Sequence, residues 1–490
     1  MPIAFKAANG REYEAVIGME VHAELLTRSK MYCRCKSCFG DPPNTNVCPV
    51  CLALPGSLPV VNRFAMLLGT RTALALHCNF ADKRFAQFAR KHYFYPDLPK
   101  NYQITMYAYP IATDGFIEIW SGDAARRIGI ERVHLEEDTA KLFHEADGTS
   151  SIDFNRAGIP LIEIVSKPEI ATPEEAKLYL KELRDILRRN GVSDGNMEEG
   201  SFRCEANISL RPLGSEKFGV KSEIKNLNSF AAVEKALNCE IERHLVIYGR
   251  GEEVRPDTRG WDDAKGDTFH MRYKEKADEY RYFPEPDIPD VYISYKMLTE
   301  AKEGVVLSPF EEKQKLMTEY RLDYHTANII AGREGGAAFF GKACAAGADP
   351  VEAMKWMTGE FFAFLNEENL EIGATKIDGA NFAEFLGLVA EGVISGPVAK
   401  ELLREISGTG EKAESLVERK GLKQVSDDDA LMPLIKEAIA GNPKAIAAFK
   451  AGKMQAAQAL VGQVMKATDG KANPKRVSEL VREFLEKEVE

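Results

Sequence analysis

The sequence predicts an α+β fold: a strand-rich domain with a mixed or antiparallel sheet, then an all-helical middle domain and an all-helical tail. In the first part, short alternating or β-branched runs outnumber clear helices. Prolines in "YRYFPEPDIPD" mark a boundary, and helical periodicity prevails from Ser308 onward. A second junction, "GTGEKAESLVERKGLKQVSDDD", precedes an Ala-rich end. We therefore predict domains at residues 1–293, 294–406 and 407–490.

Local patterns place the main elements of the first domain. Strand character is found in "FIEIW", "RRIGIERVHLEED", "SIDFNRAGIPLIEIV" and "CEANISLRP". The segment "ATPEEAKLYLKELRDILRRNG" predicts a helix with Thr172 as N-cap, Pro173 at the first helical position and Glu175 completing a capping box. Gly191 ends that helix. A second helix is predicted through "SFAAVEKALNCEIERHLVIYG".

Length and composition restrict the class of protein. A chain of 490 residues with 44% hydrophobic and 28% charged residues fits a multidomain globular protein. No apolar run has membrane-spanning length, and "MPIAFKAANGREYE" lacks the apolar region of a secretory signal, so we expect a cytoplasmic protein without a membrane segment. A net charge of −11 argues against nonspecific coating of long nucleic acids.

The C-terminal region is nevertheless locally basic. Lysines and arginines outnumber acidic residues between Gly441 and Arg482. They could contact nucleic-acid phosphates or simply form a solvated helical face, and composition alone leaves both interpretations open. The candidate phosphate contacts are Lys453, Lys466, Lys471, Lys475 and Arg476.

The segment "AVIGMEVHAEL" (residues 15–25) places polar residues at every second position. In a strand, alternate side chains share a face, so Glu20, His22 and Glu24 would lie together opposite an apolar row. That polar face is either ordinary solvated surface or part of a metal site. Further acidic clusters occur in "VHLEED", "NMEEGSFRCEAN" and "KSEIKNLNSF", beside apolar strand-like runs where a charge needs a partner.

Oxygen ligands with one imidazole suit Mg²⁺ or Mn²⁺ that holds substrate phosphates. Basic residues interleave with the acidic clusters and could neutralise phosphate oxygens: Arg156, Arg203, Lys221 and Lys225. No phosphate-binding loop or dinucleotide fingerprint is present in the sequence. Any ATP site must therefore be formed by residues outside these two known motifs.

Five of the nine cysteines fall in "YCRCKSCFGDPPNTNVCPVC". Cys33 and Cys35 form one close pair, and Cys48 and Cys51 form another, which is the spacing of a tetrahedral Zn²⁺ site. Cys38 could replace Cys35. Four protein ligands leave no open coordination position, so we predict a structural zinc in a knuckle insert at residues 33–51.

Several long motifs occur in one order along the chain. They are "IGMEVHAEL", "KHYFYPDLPKNYQIT", "HLEEDTAK", "DFNRAGIPLIEIVS", "MEEGSFRCEANISLRP", "EIKNLNSF" and "DEYRYFPEPDIP", with "GKANPKRVSELVREFL" near the end. Together they closely resemble the B-subunit family of the aspartyl/glutamyl-tRNA amidotransferases. The resemblance implies a cradle-shaped first domain and a tail like that of the YqeY family. The chain has little room for the inserted domain of the archaeal E-type relatives, so the B type is favoured.

The resemblance implies an ATP-dependent kinase and transamidase that acts on misacylated tRNA. Glu on tRNA(Gln), or Asp on tRNA(Asn), would be activated as an acyl phosphate and then amidated by ammonia. The ammonia would arrive through an internal channel from the A subunit, an amidase-family glutaminase, and a small C subunit would complete a heterotrimer. The alternative is a noncatalytic tRNA-binding scaffold whose acidic clusters are only surface. A zinc hydrolase is disfavoured because four cysteine thiolates leave the zinc no open coordination position for a substrate or water.

The resemblance also assigns the Mg²⁺ that accompanies ATP. Its ligands fall on Glu20, His22 and Glu137, with Glu223 as a further ligand and Glu136 as a supporting residue. A carboxylate nucleophile is already ionised at neutral pH, so alignment and charge neutralisation would carry most of the catalysis. Glu24 is expected to be surface.

The remaining site assignments also follow from the resemblance. Glu199 supports the acidic site, Glu205 stands where many relatives have Asp, and Lys225 would bind phosphate. Asn155 and Arg156 would either shape the pocket through the "IDFNRAG" turn or have structural roles in the core, and the sequence leaves both alternatives open.

Lys100 of "PDLPKNYQ" matches a family lysine near the channel exit. The alternative for this lysine is a surface phosphate contact. The neighbouring aromatic residues Tyr93, Phe94 and Tyr95 are expected to form core or wall rather than to read bases.

Overall fold

The computed structural model describes residues 4–122, 124–145, 147–272, 277–422, 428–443, 456–468 and 472–487. The chain divides into two compact units, Met1–Glu311 and Glu312–Glu490. Within the described residues, every strand belongs to the first unit and the second unit is helical. The predicted α+β class, with a strand-rich part followed by helices, is confirmed.

Sixteen strands lie in the described part of the chain. They are β1 (Phe5–Lys6), β2 (Glu12–Glu24), β3 (Phe85–Ala86), β4 (Phe88–His92), β5 (Tyr102–Met106), β6 (Ala112–Ser121), β7 (Ala124–Glu137), β8 (Lys141–His144), β9 (Ser150–Asp153), β10 (Pro160–Ser166), β11 (Phe202–Pro212), β12 (Ser222–Leu227), β13 (Asp257–Asp262), β14 (Asp267–Arg272), β15 (Phe283–Pro284) and β16 (Val291–Tyr292).

Twelve of these strands form one sheet. Its main path runs β14-β13-β12-β11-β2-β10-β7-β5-β4-β15, with β1 beside β2 and β6 beside β7. The pairings are antiparallel except for β12 with β13, so the sheet is mixed. Strand β2 lies near the middle, between β11 and β10.

Helices cover one face of this sheet and leave the other face polar. The first unit contains α1 (Arg63–Ala75), α2 (Pro173–Arg189), α3 (Phe230–Gly249) and α4 (Tyr295–Glu303). Helix α1 packs on β7, α2 on β6 and α3 on β11. In β2, Ile17, Met19 and Val21 are buried in the core with these helices, whereas Glu20 and His22 alternate with them and lie on the opposite face.

Helix α2 starts as its sequence predicts. The Thr172 side chain accepts a hydrogen bond from the Glu175 backbone N–H at 3.0 Å, and Pro173 occupies the first helical position. The Glu175 carboxylate accepts in turn from the Ala171 N–H at 2.9 Å. Gly191, with φ of +63°, follows the helix end. Side-chain capping thus satisfies backbone donors that the first turn leaves unpaired.

The second unit is a set of short helices around two apolar clusters. Its described helices are α5 (Pro309–Tyr320, which begins in the first unit), α6 (Tyr324–Ala331), α7 (Gly336–Ala345), α8 (Pro350–Trp356), α9 (Phe362–Glu367), α10 (Gly379–Ala390), α11 (Gly396–Thr409), α12 (Ala413–Lys420), α13 (Asp428–Ala440), α14 (Ala456–Ala467) and α15 (Pro474–Lys487). A π-helical turn, Met357–Phe361, joins α8 to α9.

The first compact unit extends beyond the predicted boundary at residue 293. Helix α4 packs on α1, and Ile293 and Met297 join the core of the strand-rich unit, so the chain leaves that unit only at Glu311. In the tail, Lys453, Lys471 and the side chain of Lys475 lie outside the described residues.

Candidate active site

The register of the sheet brings polar side chains together on its open face. Glu20 lies opposite Glu205 of β11. On the other side of β2, His22 lies opposite Glu163 of β10, which lies opposite His134 of β7. Directly opposed residues have Cβ atoms about 5 Å apart, so backbone pairing itself assembles this group.

We call five polar side chains on this face of the sheet the acidic basin: Glu20, His22, His134, Glu136 and Glu163. The His22 Nε2 atom lies 3.4 Å from Glu136 Oε1 and 3.3 Å from Glu163 Oε2. It also lies 3.9 Å from Glu20 Oε1. The His134 Nε2 atom lies 3.2 Å from Glu163 Oε2. Each of the three carboxylates therefore lies beside at least one of the two imidazole rings.

Mutual charge controls titration in the basin. Burial lowers the pKa of His22, but its hydrogen bond to Glu163 and the neighbouring carboxylates outweigh burial and raise it to about 9. The pKa of His134 is raised to about 9 in the same way. Burial raises the pKa of Glu163, yet both histidines together bring it well below its usual value. The carboxylates therefore require nearby positive charge, which protonated histidines supply and a divalent cation can supply in exchange for their protons.

Lysines flank the basin on both sides. The Lys225 Nζ atom donates to Glu205 at 2.6 Å and lies 3.9 Å from Glu223, whose carboxylate accepts from Thr258 Oγ1 at 3.0 Å. On the opposite side, Lys91 has a raised pKa because carboxylate charge, chiefly that of Glu136, outweighs its burial. Both ammonium groups are therefore charged at neutral pH.

A cavity of about 620 Å³ lies over the basin, a volume suited to a nucleotide-sized ligand. Arg132 and Asp138 also line it. From the β11–β12 end its lining includes Arg203, Glu205, Lys221, Glu223 and Lys225, and from the β4–β5–β15 end it includes Lys91, Tyr93, Tyr107, Tyr280 and Tyr282.

The structure does not place Glu137 with Glu20 and His22, as the predicted magnesium set requires. Because strand side chains alternate, Glu136 faces the basin and Glu137 faces the helix-covered side. There the Glu137 carboxylate accepts from Lys100 Nζ at 2.7 Å and from the Ile104 N–H at 3.1 Å. Lys100 and Glu137 line a separate cavity of about 90 Å³ beside the cysteine loop. Lys100 is thus half of a buried ion pair away from the basin.

Three further predicted residues lie away from the cavity lining. Asn155 is buried and braces the cysteine loop, because its Oδ1 accepts from the Asn46 N–H at 2.8 Å and its Nδ2 donates to the Pro42 carbonyl at 2.7 Å. Arg156 donates to the Thr139 and Ala140 carbonyls, and Glu199 is exposed in a turn.

Glu24 is half-buried rather than fully exposed, and it does not line the cavity. Burial and the charge of Asp138 raise the pKa of its carboxyl to about 7. This carboxyl is therefore partly protonated at neutral pH.

Sequence reasoning missed Glu163, His134 and Lys91. His134 precedes Glu136 by two residues in a strand, so the alternation that grouped Glu20 with His22 also predicts that this pair shares a face. Glu163 is the one charged residue in the apolar run "PLIEIVS", which is itself a signal of a paired buried charge. Lys91 offers no comparable pattern.

The basin fits a divalent cation of the magnesium class. Ligand atoms of Glu20, His22 and Glu163 lie within 4.8 Å of one another, and so do those of His134, Glu136 and Glu163. Octahedral Mg²⁺ with bonds of about 2.1 Å holds its ligands ~3.0 to ~4.2 Å apart. The observed separations of 3.2–3.9 Å fall in that range.

The cysteine loop fits zinc. The sulfurs of Cys33, Cys35, Cys48 and Cys51 all lie within 4.8 Å of one another. Zn–S bonds of about 2.3 Å in a tetrahedron place sulfurs ~3.8 Å apart, and Cys48 Sγ lies 3.9 Å from Cys51 Sγ. Cys38 contacts Asp41 at 2.9 Å instead, so it does not replace Cys35 in this arrangement.

Comparison with known proteins shows what this architecture belongs to. Residues 15–299 match the family described as the GatB/GatE catalytic domain, and residues 338–485 match the GatB domain. The chain belongs to the GatB family. It is 46% identical over 474 residues to the B subunit of the aspartyl/glutamyl-tRNA(Asn/Gln) amidotransferase of Thermodesulfovibrio yellowstonii, a match that covers 97% of this chain and 99% of that protein.

The B subunits of the same enzyme from Thermoanaerobacter pseudethanolicus and Moorella thermoacetica are also 46% identical, over 476 and 477 residues, covering 97% of this chain and all of theirs. The resemblance stated from the sequence motifs is therefore confirmed. The family is a class of glutamine-dependent, ATP-using amidotransferase subunits. In the described part of the chain, no helix has both the length and the apolar character needed to cross a membrane.

Proposed function

We propose that this GatB-family chain activates the side-chain carboxylate of Glu on tRNA(Gln), or of Asp on tRNA(Asn), with ATP and then amidates it. The names of the relatives carry these two tRNA classes. One structural observation supports the chemistry most strongly. Three carboxylates and two histidines converge at the centre of one sheet face, with lysines on both sides and a nucleotide-sized cavity above.

The reaction has two steps. A carboxylate oxygen of the aminoacyl group attacks the γ-phosphorus of ATP, and the bond to the β-phosphate oxygen breaks to release ADP. The nitrogen of ammonia then attacks the acyl carbon of the mixed anhydride and displaces inorganic phosphate. Because the carboxylate is already ionised, alignment and charge neutralisation lower the barrier without a strong base.

We assign the groups of the cavity to these steps. Glu20, His22, Glu136 and Glu163 would hold the Mg²⁺ of MgATP, which spreads the charge of the transferred phosphoryl group. This assignment replaces Glu137 with its neighbour, because only Glu136 faces the basin. Glu223 lies one strand beyond Glu205 and is assigned as a further ligand once Lys225 turns toward phosphate.

The cations would bind and position phosphate oxygens. Lys225 donates to both oxygens of Glu205, and that contact keeps its ammonium at the cavity edge. Lys221, which directly precedes β12, lines the same end of the cavity, and Arg203 lines the cavity while it donates to Asp138 at 2.9 Å. Together they present positive charge where a triphosphate would lie.

The partners follow the family's organisation. We propose that a glutaminase partner supplies ammonia, that a small third protein completes the complex, and that the complex works in the cytoplasm. The Lys100–Glu137 pair, with a Lys100 side chain only 13% exposed, is a suitable place for ammonia to reach the sheet. Zinc would stabilise the cysteine loop without taking part in the reaction.

The helical tail would contact the outer tRNA body. Lys466 is exposed, which suits a phosphate contact. Arg476 is already paired, because its Nε donates to Asp428 at 2.8 Å and its Nη1 to Glu479 at 3.2 Å. Arg476 therefore joins α13 to α15, and any contact with RNA would share it with these carboxylates.

The test is ADP release by the complex reconstituted with its partner proteins. ADP should form with Glu-tRNA(Gln) or Asp-tRNA(Asn), should not form with the correctly charged tRNAs, and should be lost in Glu136→Gln. Tight tRNA binding without ADP formation, despite active glutamine hydrolysis, would instead leave this chain a noncatalytic scaffold.

A further inference from the structure

Two tyrosines from distant parts of the sequence stack at one end of the cavity. The rings of Tyr107, just after β5, and Tyr282, just before β15, have centroids 4.0 Å apart and planes inclined by only 4°. Tyr107 is 45% exposed, and both residues line the cavity. We call this pair the tyrosine platform. Both rings thus contribute aromatic surface to the cavity lining.

Neighbouring side chains fix the orientation of the two platform rings. The Tyr280 ring meets Tyr282 edge-on at 6.0 Å, and the Tyr93 ring meets Tyr280 edge-on at 6.4 Å. The Lys91 ammonium lies 5.0 Å from the centre of the Tyr280 ring. Edge-to-face and cation–π contacts of this kind fix ring orientation. Lys91 also lies within the charge of the basin carboxylates Glu136 and Glu163, which raise its pKa.

The platform and the phosphate-binding end of the cavity lie at opposite ends of the sheet. Lys225 is on β12, and Tyr107 follows β5. The strand order β12-β11-β2-β10-β7-β5 puts five strand spacings between them, which is about 24 Å. Glu20 and His22 of β2 lie between these ends. Two substrates could therefore approach the basin from opposite sides.

We propose that the tyrosine platform stacks on the terminal adenosine of the misacylated tRNA and so delivers its aminoacyl group to the basin. Unstacked bases at the ends of RNA strands are bound characteristically by aromatic rings. The adenosine carries the aminoacyl ester on its ribose, so a base held on the platform directs the side-chain carboxylate past Lys91 toward Glu136. This inference rests on the proposed function and adds the subsite for the second substrate.

The alternative occupant is the adenine of ATP, and charge argues against it. A triphosphate needs several cations, and Lys225 of β12 and Lys221, which directly precedes that strand, both line the cavity at its β12 end. At the platform end, Lys91 is already surrounded by the charges of Glu136 and Glu163. A neutral base attached to an ester, with one carboxylate to deliver, suits that end better.

The first experiment compares Tyr282→Leu with Tyr282→Phe in the reconstituted complex. The Leu variant should raise the KM for Glu-tRNA(Gln) about tenfold, since stacking on an aromatic side chain carries that order of binding energy. The Phe variant keeps the ring and should stay within about twofold of the wild type. The KM for ATP should not change in either variant. Phe94→Leu is the matched control, because Phe94 is 67% exposed but does not line the cavity.

The second experiment isolates the terminal base. Uncharged tRNA is used as a competitor, either complete or lacking its terminal adenosine. In the wild type the shortened tRNA should compete about tenfold less well, and in Tyr282→Leu the two should compete equally. Thermal melting of each variant shows whether it is folded.

Each other outcome overturns the platform. A raised KM for ATP in Tyr282→Leu would assign the rings to the nucleotide. If the tRNA that lacks its terminal adenosine still competed less well than complete tRNA in Tyr282→Leu, the base would bind elsewhere. A wild-type complex that releases no ADP with misacylated tRNA would overturn the proposed function first. An active wild type with an unaffected Tyr282→Leu variant would refute the platform alone.

Discussion

Adjacent glutamates on opposite faces of β7 allow a direct test of the basin. Glu136 lies 3.4 Å from His22 in the basin, whereas Glu137 pairs with Lys100 at 2.7 Å behind the sheet. Replacing either with Gln removes one negative charge and changes the shape of the side chain very little. We expect only Glu136→Gln to weaken binding of the divalent cation, because Glu137 faces away from it.

The magnitude follows from the separations. Two unit charges 4 Å apart attract by about 1 kcal/mol even at the dielectric constant of water, so a divalent cation and one carboxylate attract by ~2 kcal/mol. The basin is mostly buried, and the true value is larger. Loss of Glu136 should therefore weaken cation binding by at least ~30-fold. Glu137→Gln should change it by less than about threefold, because its effect is confined to the pair with Lys100.

The assay is binding of Mn²⁺, as a spectroscopic substitute for Mg²⁺, to the purified chain with and without ATP. Thermal melting confirms that both variants are folded. A thirtyfold loss in Glu137→Gln with normal binding in Glu136→Gln would refute the assignment of faces. Equal losses would show that the cation bridges both sides of the strand.

Three further predictions concern pH, zinc and the tail. Because the folded-state pKa of His134 is about 9 against a usual value near 6.5, its contribution to stability is complete below about pH 6.5 and is lost as pH rises through about 9, so the Tm of metal-free protein should fall across that window and fall less in His134→Gln. Chelation of zinc, or Cys48→Ser, should lower the Tm and release one zinc ion per chain while cation binding at the basin survives below the new Tm; a folded chain that loses only catalysis would contradict a structural role. Lys466→Glu, at an exposed lysine of the tail, should raise the KM for tRNA without changing glutamine hydrolysis, and an unchanged KM would remove Lys466 from the tRNA surface.

How far the sequence could predict the site depended on whether a residue's role follows from its own strand. Glu20 and His22 were predicted to share a face because period-two alternation within "AVIGMEVHAEL" is a local property, and in β2 they do share it. The same rule applied to "HLEED" groups His134 with Glu136 and excludes Glu137. The assignment of Glu137 came from the resemblance alone, and strand alternation placed the basin residue one position earlier.

Other parts of the site required tertiary structure. Glu163 belongs to the basin only because β10 lies between β2 and β7 in the sheet. These neighbouring strands are far apart in the sequence, so no local pattern reveals their order. The stacking of Tyr107 on Tyr282 likewise has no local pattern. Helix caps such as Thr172 were predictable because the capping hydrogen bond joins residues only three positions apart in the sequence. The boundary at residue 293 preceded the end of the first unit because α4 docks on α1, which no local signal reports.

The central claim is that the basin activates a carboxylate as an acyl phosphate, and an oxygen-label transfer tests it most directly. Glu-tRNA(Gln) carrying ¹⁸O in its side-chain carboxylate is incubated with the reconstituted complex, ATP and glutamine, and the released phosphate is analysed by mass spectrometry. One labelled oxygen should appear in each phosphate formed with Gln-tRNA, because the bridging oxygen of the anhydride leaves with the phosphate. Unlabelled phosphate alongside amidated product would show that ATP is cleaved without phosphoryl transfer to the carboxylate, and would contradict the account.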